Sequence, residues 1–567
     1  MSTFQERIGG LRWRLRALRR LFRPGAQPDE TFLPRVEGPD LTEGMIDHPG
    51  PGYVFEEDTM GFIGWVTFAD SSPVGRVEGT LDGTPIGRAR VSIPRPDVDE
   101  QRDHTLAHLS GFDLTAEISL LPADVRTGAR ELRVIATSAS GERFEFDEVP
   151  IMLRPRPWVL DPPTPAPAPL VAPPRRADLR VLVFTHQLTL GGAQLYLLDL
   201  LRELHSREEI ELTLVSAIDG PVRKDLEAIG IDVHLTAMAP FEKPTGHLGR
   251  IGEMAAWLRD GEFDVAFINT ATSGASFGAE IARSLDIPAV WAIHESFPPG
   301  ILWADLNEKV REFTEGTLAQ ARFAIFEADA TRRIYESLIP TERCLTIPYG
   351  VDVEPIEKER HALDRTAARE RLGIPASAEL AVCVGTVEPR KAQVQLAQAF
   401  SMIADRHPQA RIAFVGARTE TPNTEDLEAV IAESDYADRI DVIEVTPEVQ
   451  VWYGIADLLV CASDVESLPR TVLEAMLWET PVLATAVFGI PDVIEDGVTG
   501  WLCEPRDLAA LADGLDRAFS TPTDERRRIA TAARKLIEER HDLSRYAAAV
   551  LETLQRAVSE STDGHSA

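Results

Sequence analysis

The sequence predicts an α/β protein with two doubly wound domains facing a cleft, preceded by an all-β sandwich and a basic amphipathic N-terminal helix. Three observations carry this. From residue 179 onward, short apolar and β-branched runs alternate with helical patterns, in two successive series of about 170 residues. Residues 51–153 carry short strand-like runs punctuated by tight-turn signals. Residues 4–22 place apolar side chains at helical spacing among arginines.

Phe4, Ile8, Leu11, Leu15, Leu18 and Phe22 share one helical face, and Arg7, Arg12, Arg14, Arg16, Arg19, Arg20 and Arg23 surround it. With Glu6 as the only acid, residues 1–24 carry about +6 and the rest of the chain about −39, for a net charge of −33. A basic amphipathic helix on an acidic protein reads as an interfacial anchor on an anionic membrane. The alternatives are docking on the protein's own acidic surface, or a loose tail.

Residues 25–50 are rich in Pro, Gly and Asp and read as a linker. The sandwich strands come next, among them residues 61–68, 76–81, 88–93, 132–137 and 143–146, with Asp82-Gly83 and Ser140-Gly141 as turns. Phe62, Trp65 and Phe68 suit either core packing, the simpler reading, or a glycan-binding surface. The Asp-Gly turn, Arg95-Pro-Asp-Val98 and Ser110-Gly-Phe112 together resemble accessory domains of bacterial polysaccharide-synthesis enzymes. Nine prolines between Pro155 and Pro174 make residues 154–178 a stiff second linker. Such a linker is expected to hold the sandwich away from the doubly wound domains, or let it swing around them.

In the first βα series, strands are expected at 179–184, 212–215, 265–268, 289–293, 324–326 and 344–347. In the second they are expected at 380–384, 411–415, 440–443, 458–461 and 481–484. The domain boundaries are read as 179–355 and 356–540, with a C-terminal helix and tail at 541–567. The cleft between two such domains is the expected ligand site.

Composition narrows the function. The acidic balance argues against nucleic acid as a partner. Cys344, Cys383, Cys461 and Cys503 form no C-x-x-C pair, so buried free thiols in a reducing cytoplasm are expected, without disulfides or structural zinc. No uncharged apolar run reaches the roughly 20 residues that span a bilayer, and arginines interrupt every apolar stretch where a signal peptide would lie. A cytoplasmic protein is expected, peripheral on the inner face of the membrane if the N-terminal helix binds lipid.

Three segments carry chemistry. Gly191 and Gly192 come after the first strand and open a helix, where backbone N–H groups can meet a phosphate or sugar. Read alone, a glycine pair is usually only a turn. Arg390 and Lys391 lie on a loop after the first strand of the second series, where two cations can neutralise a diphosphate. The third segment is Glu466-Ser-Leu-Pro-Arg-Thr-Val-Leu-Glu474. Its two carboxylates are expected roughly 10 Å apart, suiting the two ends of an elongated ligand. Ser467 and Leu468 offer backbone N–H groups between them, and Pro469 suits the first helical turn.

These segments, with Ile293-His-Glu295 and Ile347-Pro-Tyr-Gly-Val-Asp352, make residues 179 to about 540 resemble glycosyltransferase family 4, retaining enzymes of the GT-B fold. The resemblance implies a Rossmann-like acceptor domain followed by a Rossmann-like nucleotide-sugar domain. By it, Glu474 binds the ribose hydroxyls, Glu466 contacts the transferred sugar with help from Ser467 and Leu468, and Lys391 with Arg390 holds the pyrophosphate. Gly191 and Gly192 are donor-binding, with Gly192 closing over the donor phosphate and sugar, and His294 sits near the reacting centre. The implied partners are a nucleoside diphosphate sugar and a glycan or lipid-linked hydroxyl acceptor, with no cofactor and no metal. Cell-surface polysaccharide or glycolipid synthesis is the implied setting, and hexosyl transfer the implied reaction. Thr386, Ala392 and Tyr349 depart from the arginine, glycine and asparagine that many relatives place there. The alternatives are a nucleotide-sugar epimerase and a non-catalytic glycan-binding or scaffold protein. A dehydrogenase is disfavoured because G-x-G-x-x-G is missing.

Overall fold

The computed structural model describes residues 42–153 and 177–563, apart from 56–58, 70–71, 94, 96–97, 99–108, 118–124, 126–127, 208, 237–243, 305 and 419–420. The predicted basic helix at 4–22 and nearly all of the proline-rich linker lie outside the described residues.

The first strand falls where the sequence reads as a linker: β1 (Glu43–His48) pairs antiparallel with β3 (Thr59–Thr67). The others in this region are β2 (Tyr53–Phe55), β4 (Val74–Leu81), β5 (Thr84–Arg88), β6 (Arg90–Ile93), β7 (Gly111–Glu117), β8 (Gly128–Ser138), β9 (Arg143–Glu145) and β10 (Val149–Leu153). They form a four-stranded sheet, β1-β3-β7-β6, and a second sheet, β2-β10-β8-β4-β5 with β9 on β8. Phe62, Phe68 and Phe112 close the space between the sheets and are fully buried, so Phe62 and Phe68 are core. Trp65 is buried as well, which leaves none of the three aromatics for a glycan surface.

The next seven strands are β11 (Leu179–Gln187), β12 (Ile210–Ile218), β13 (Asp232–Leu235), β14 (Val265–Asn269), β15 (Ala289–Ile293), β16 (Phe323–Phe326) and β17 (Cys344–Thr346). All pair in parallel, in the order β13-β12-β11-β14-β15-β16-β17. A second parallel sheet holds β18 (Glu379–Val384), β19 (Ala410–Ala417), β20 (Ile440–Glu444), β21 (Leu458–Cys461), β22 (Val482–Thr485) and β23 (Trp501–Cys503). Its order is β20-β19-β18-β21-β22-β23. Both orders reverse direction once, between β11 and β14 and between β18 and β21. In a doubly wound sheet, ligands bind beyond the carboxyl ends of the strands at that reversal.

Six helices position the site and its neighbours: α1 (Gly192–His205), α2 (Ser273–Ser284), α3 (Gln393–Ile403), α4 (Arg470–Leu477), α5 (Leu508–Ser520) and α6 (Leu543–Asp563). Helices α1 and α2 succeed the two strands at the first reversal, and α3 and α4 those at the second. The C-terminal helix α6 returns to the first doubly wound domain and packs on α1. Arg322 there pairs with Glu560 at 2.6 Å.

The sandwich is not held away from the rest. Gln395 Nε2 donates to the Val91 carbonyl at 2.6 Å, and Ser92 Oγ to Gln398 Oε1 at 2.8 Å. Arg88 Nη1 reaches Glu504 Oε2 at 3.2 Å. The second sheet of the sandwich also meets α5. A polyproline linker fixes a reach, but contacts at its two ends decide whether that reach is used. All four cysteines are buried and free, as the sequence predicts.

Candidate active site

The carboxyl ends of β18 and β21 bring Arg390, Lys391 and Glu466 together. Strand β18 ends at Val384, and Gly385 follows with a φ of +138° that only glycine adopts readily. A Cβ there would lie 3.1–3.3 Å from the Lys391 stem, so Gly385 also makes room for that lysine. A 3₁₀ turn, Pro389–Lys391, then presents the cations immediately before α3. Lys391 Nζ and Arg390 Nη1 each bond Glu466 Oε1 at 2.9 Å, and Ser463 Oγ donates to the same oxygen at 3.1 Å. Burial alone would raise the Glu466 pKa, but Lys391 and then Arg390 outweigh it and hold the carboxyl at about 2. Arg390 is also engaged by Glu388 at 2.9 Å and by the Val465 carbonyl at 3.3 Å.

Ala392 occupies the left-handed region, with φ +53°, a conformation that glycine adopts without strain. A β-branched residue there is strained. Ala392→Val is expected to lose about 1–2 kcal/mol and Ala392→Gly to be near neutral, measured by denaturant unfolding.

Among the described residues, nothing accepts from the backbone N–H groups of Ser467 and Leu468. Ser467 Oγ instead meets Thr331 Oγ1 of the first doubly wound domain at 3.1 Å. The Leu468 carbonyl accepts from Tyr349 OH at 2.9 Å and Tyr196 OH at 3.3 Å. Pro469 is the N-cap of α4 and not part of its first turn. On α4, Glu474 is buried and accepts from Arg470 Nε at 2.6 Å. Arg470 Nη1 crosses to Asp199 Oδ2 on α1, also at 2.6 Å. Thus α1 lies directly against the Glu466–Glu474 segment, with Gly192 one turn before Tyr196. A Cβ on Gly192 would meet nothing within 4 Å, so this end of α1 is open.

At the first domain's strand ends, His294 comes directly after β15. Its Nδ1 bonds the Glu327 carboxylate and its Nε2 lies 2.9 Å from Asn269 Oδ1. Asn269 Nδ2 donates to the Ala193 carbonyl at 3.3 Å, so its oxygen is free to accept. Two acceptors, the Glu327 carboxylate and the Asn269 oxygen, thus face the two ring nitrogens, an arrangement that favours the protonated ring. Burial opposes that charge, but Glu327 outweighs it and the His294 pKa is raised. Nearby His186 is pushed the other way, to about 4, by burial and by the charge of His294. Glu295 accepts the N–H groups of Ala271 at 2.8 Å and His294 at 3.2 Å.

Glu327→Gln removes the counter-charge, so the His294 pKa falls. A raised pKa supplies an effect present at low pH and lost as pH rises through it. The alkaline limb of the rate profile is therefore expected to move to lower pH in this variant. A loss of roughly 10–100-fold in kcat/KM is expected near neutrality.

Gly191, Gly192, Arg390, Lys391, Glu466, Ser467 and Leu468 lie at the two strand reversals and Glu474 on α4, whereas His294 lies past β15, one strand beyond the first reversal. Glu327, Asn269, Arg470 and Tyr196 contact the candidate residues and Asp199 pairs with Arg470, and sequence reasoning does not reach them. Arg470 lies inside the Glu466–Glu474 segment, and its spacing of four from Glu474 is the one local signal. No group of three His, Cys, Asp or Glu side chains suited to a metal occurs among the described residues. No helix among them is long and apolar enough to cross a membrane.

Two parallel doubly wound domains with polar residues gathered at both reversals define a two-domain enzyme of the GT-B fold. Residues 364–536 match the family described as glycosyl transferases group 1, and residues 190–355 match glycosyltransferase family 4. The chain belongs to this family and is a glycosyltransferase. It is similar to the D-inositol 3-phosphate glycosyltransferase of Xylanimonas cellulosilytica, 28% identical over 65% of this chain and 92% of that protein. The corresponding protein of Streptomyces scabiei is 28% identical over 60% and 82%. Among solved structures, Anabaena HepE in complex with UDP has a TM-score of 0.57 at 22% identity, over 66% of this chain and all of that one. HepE has also been solved with UDP-glucose, at TM-score 0.57 and 20% identity, over 66% and 99%.

Proposed function

We propose that residues 179–540 move a hexose from a nucleoside diphosphate sugar to a hydroxyl acceptor with retention of anomeric configuration. One observation carries the reading: Lys391 and Glu466 meet at the second reversal while α1 of the other domain abuts Leu468 and Arg470. A ligand bound there touches both domains.

In this reading Glu474 takes the ribose hydroxyls, and Glu466 the hydroxyls of the sugar. Lys391 and the N–H groups of Ser467 and Leu468 neutralise the diphosphate as it leaves. Arg390, already shared among Glu388, Val465 and Glu466, orients Glu466. Gly191 and Gly192 present the open start of α1 to the donor. His294, as an imidazolium, adds positive potential where negative charge develops. The acceptor attacks from the leaving-group face, and a diphosphate oxygen takes its proton. Cations and N–H groups do the work of a metal, so chelators are expected to leave the rate unchanged. Loss of activity in EDTA, restored by a divalent cation, would contradict this.

HepE's complexes with UDP and UDP-glucose make uridine the first base to try. The acceptor is a glycan or lipid-linked hydroxyl of the bacterial cell surface, and the enzyme works in the cytoplasm. Residues 4–22 rest on the anionic inner face of the membrane. Inositol phosphate, named for the curated relatives, is the competing acceptor. A thermal-shift panel of nucleotide sugars tests the donor: at 100 times its Kd, a true donor adds about 2.7 kcal/mol. No shift with any member would favour a scaffold without catalysis. Turnover of a donor without acceptor would favour an epimerase.

A further inference from the structure

The sandwich touches the second doubly wound domain beside its strand reversal, and the contact continues into the loop that carries Glu466. Arg506, in the left-handed region at φ +54°, donates through Nη1 to the Arg88 carbonyl at the end of β5. Its Nε lies 3.5 Å from Asp464 Oδ2. Asp464 is buried, and its own N–H donates to the Arg390 carbonyl at 2.7 Å. Arg390 in turn bonds Glu466. A continuous path thus runs from sandwich backbone to the cation and carboxylate of the candidate site. Around it, Gln395 and Gln398 at the start of α3 bond Val91 and Ser92 of β6. Arg90, also on β6, pairs with Asp113 through Nε at 2.8 Å and acts on Asp464 through its charge.

We infer that the sandwich is a working part of the donor site, with Arg506 a positioning residue that fastens the loop from Ala462 to Glu466 and so sets Arg390 and Glu466. The inference rests on the donor-site reading. Its physical basis is the dense web of bonds on both sides of Asp464. Thr485 Oγ1 holds the Ser463 carbonyl at 2.5 Å, so the loop has little freedom except through Asp464 and its arginine. Burial pushes the Asp464 carboxyl up to about 6, with Arg506 and then Arg90 opposing and Asp113 reinforcing the rise. The fastening therefore weakens when pH falls through about 6.

The test uses the full chain and the nucleoside diphosphate that wild type binds best among UDP, GDP and ADP, followed by calorimetry. Arg506→Met is expected to weaken binding roughly tenfold, and to raise the KM for the donor while leaving that for the acceptor unchanged. Arg506→Lys should recover part of the loss. Arg90→Met, on the sandwich side of the contact, removes a charge that acts on Asp464 and should move donor KM in the same direction. Asp464→Asn should remove the acidic change in donor KM near pH 6. Arg90→Met and Asp464→Asn carry the test if Arg506→Met fails to fold. Wild-type affinity and donor KM in the folded variants would overturn the inference. Lys391→Ala and Glu474→Ala serve as controls: if they also bind like wild type, or if wild type binds none of the three, the donor-site reading itself fails.

Discussion

Lys391→Ala is expected to lower kcat/KM for the sugar donor roughly a hundredfold to a thousandfold, the usual effect of deleting a group that stabilises developing negative charge. Lys391 is half-buried beside Gly385, its side chain 17% exposed, and its ammonium bonds Glu466 at 2.9 Å. Burial disfavours the ammonium, yet the Glu466 charge raises its pKa, so it stays charged throughout the working range. A diphosphate arriving here meets a cation whose desolvation has already occurred during folding. The loss should fall mainly on donor binding and turnover, with acceptor KM little changed. Lys391→Arg keeps the charge but replaces a compact ammonium by a wide fork that the space beside Gly385 does not fit, so rescue should be partial.

The same substitution has a signature in stability. The Glu466 carboxyl is held at about 2, below its ordinary range. A depressed carboxylate pKa contributes stability that is present above the unfolded value and lost as pH falls through the folded one. In wild type this contribution fades only below about pH 4.5, toward 2. Without Lys391 the Glu466 pKa rises, the contribution shrinks, and acid unfolding begins at higher pH. Arg390 and Ser463 still hold the carboxylate, so the cost near neutrality is about 1–3 kcal/mol. Unfolding monitored between pH 3 and 7 reads both effects. An unchanged acid limb together with wild-type kinetics would remove Lys391 from the site.

What the sequence makes legible depends on how locally each feature is determined. Strands such as β14, β15 and β21 are runs of four or five buried, mostly apolar residues, and nothing else accommodates them. Strands β13 and β23 are edge strands of four and three residues, too short to carry a pattern, and exist because a neighbour offers its open side. Strand β1 has two apolar residues in a polar context and needs β3 to be a strand at all. The site divides the same way. Lys391 and Glu466 are readable because each lies just past a buried strand on a loop of the right chemistry. The pairs His294–Glu327 and Arg470–Asp199 join residues 33 and 271 positions apart, so only the fold brings them together. The sandwich contacts through Arg88, Arg506 and Gln395 are surface residues in sequence terms, and no local pattern marks them as an interface.

Arg470→Leu is expected to destabilise the protein by about 3–5 kcal/mol, the range for removing one partner from a buried ionic set. Arg470 is the common counter-ion of two carboxylates, Glu474 on its own helix and Asp199 on α1, both at 2.6 Å. Its guanidinium also lies 5.5 Å from the centre of the Tyr196 ring. Burial opposes the charge on Arg470, but Glu474 and then Asp199 raise its pKa, and it is charged at every accessible pH. Leucine fills much of the volume but leaves two buried anions without their cation. Arg470→Lys can face only one carboxylate squarely, so it should recover about half of the loss. Asp199→Asn should cost less, because Arg470 keeps Glu474. A double-mutant cycle between Arg470→Leu and Asp199→Asn then isolates the coupling between the domains, expected at about 1–3 kcal/mol. Because the set is buried, that coupling should change little with salt. A coupling near zero would mean that Arg470 serves only its own helix, and that the two domains are held together by Tyr196, Tyr349 and the Leu468 carbonyl instead.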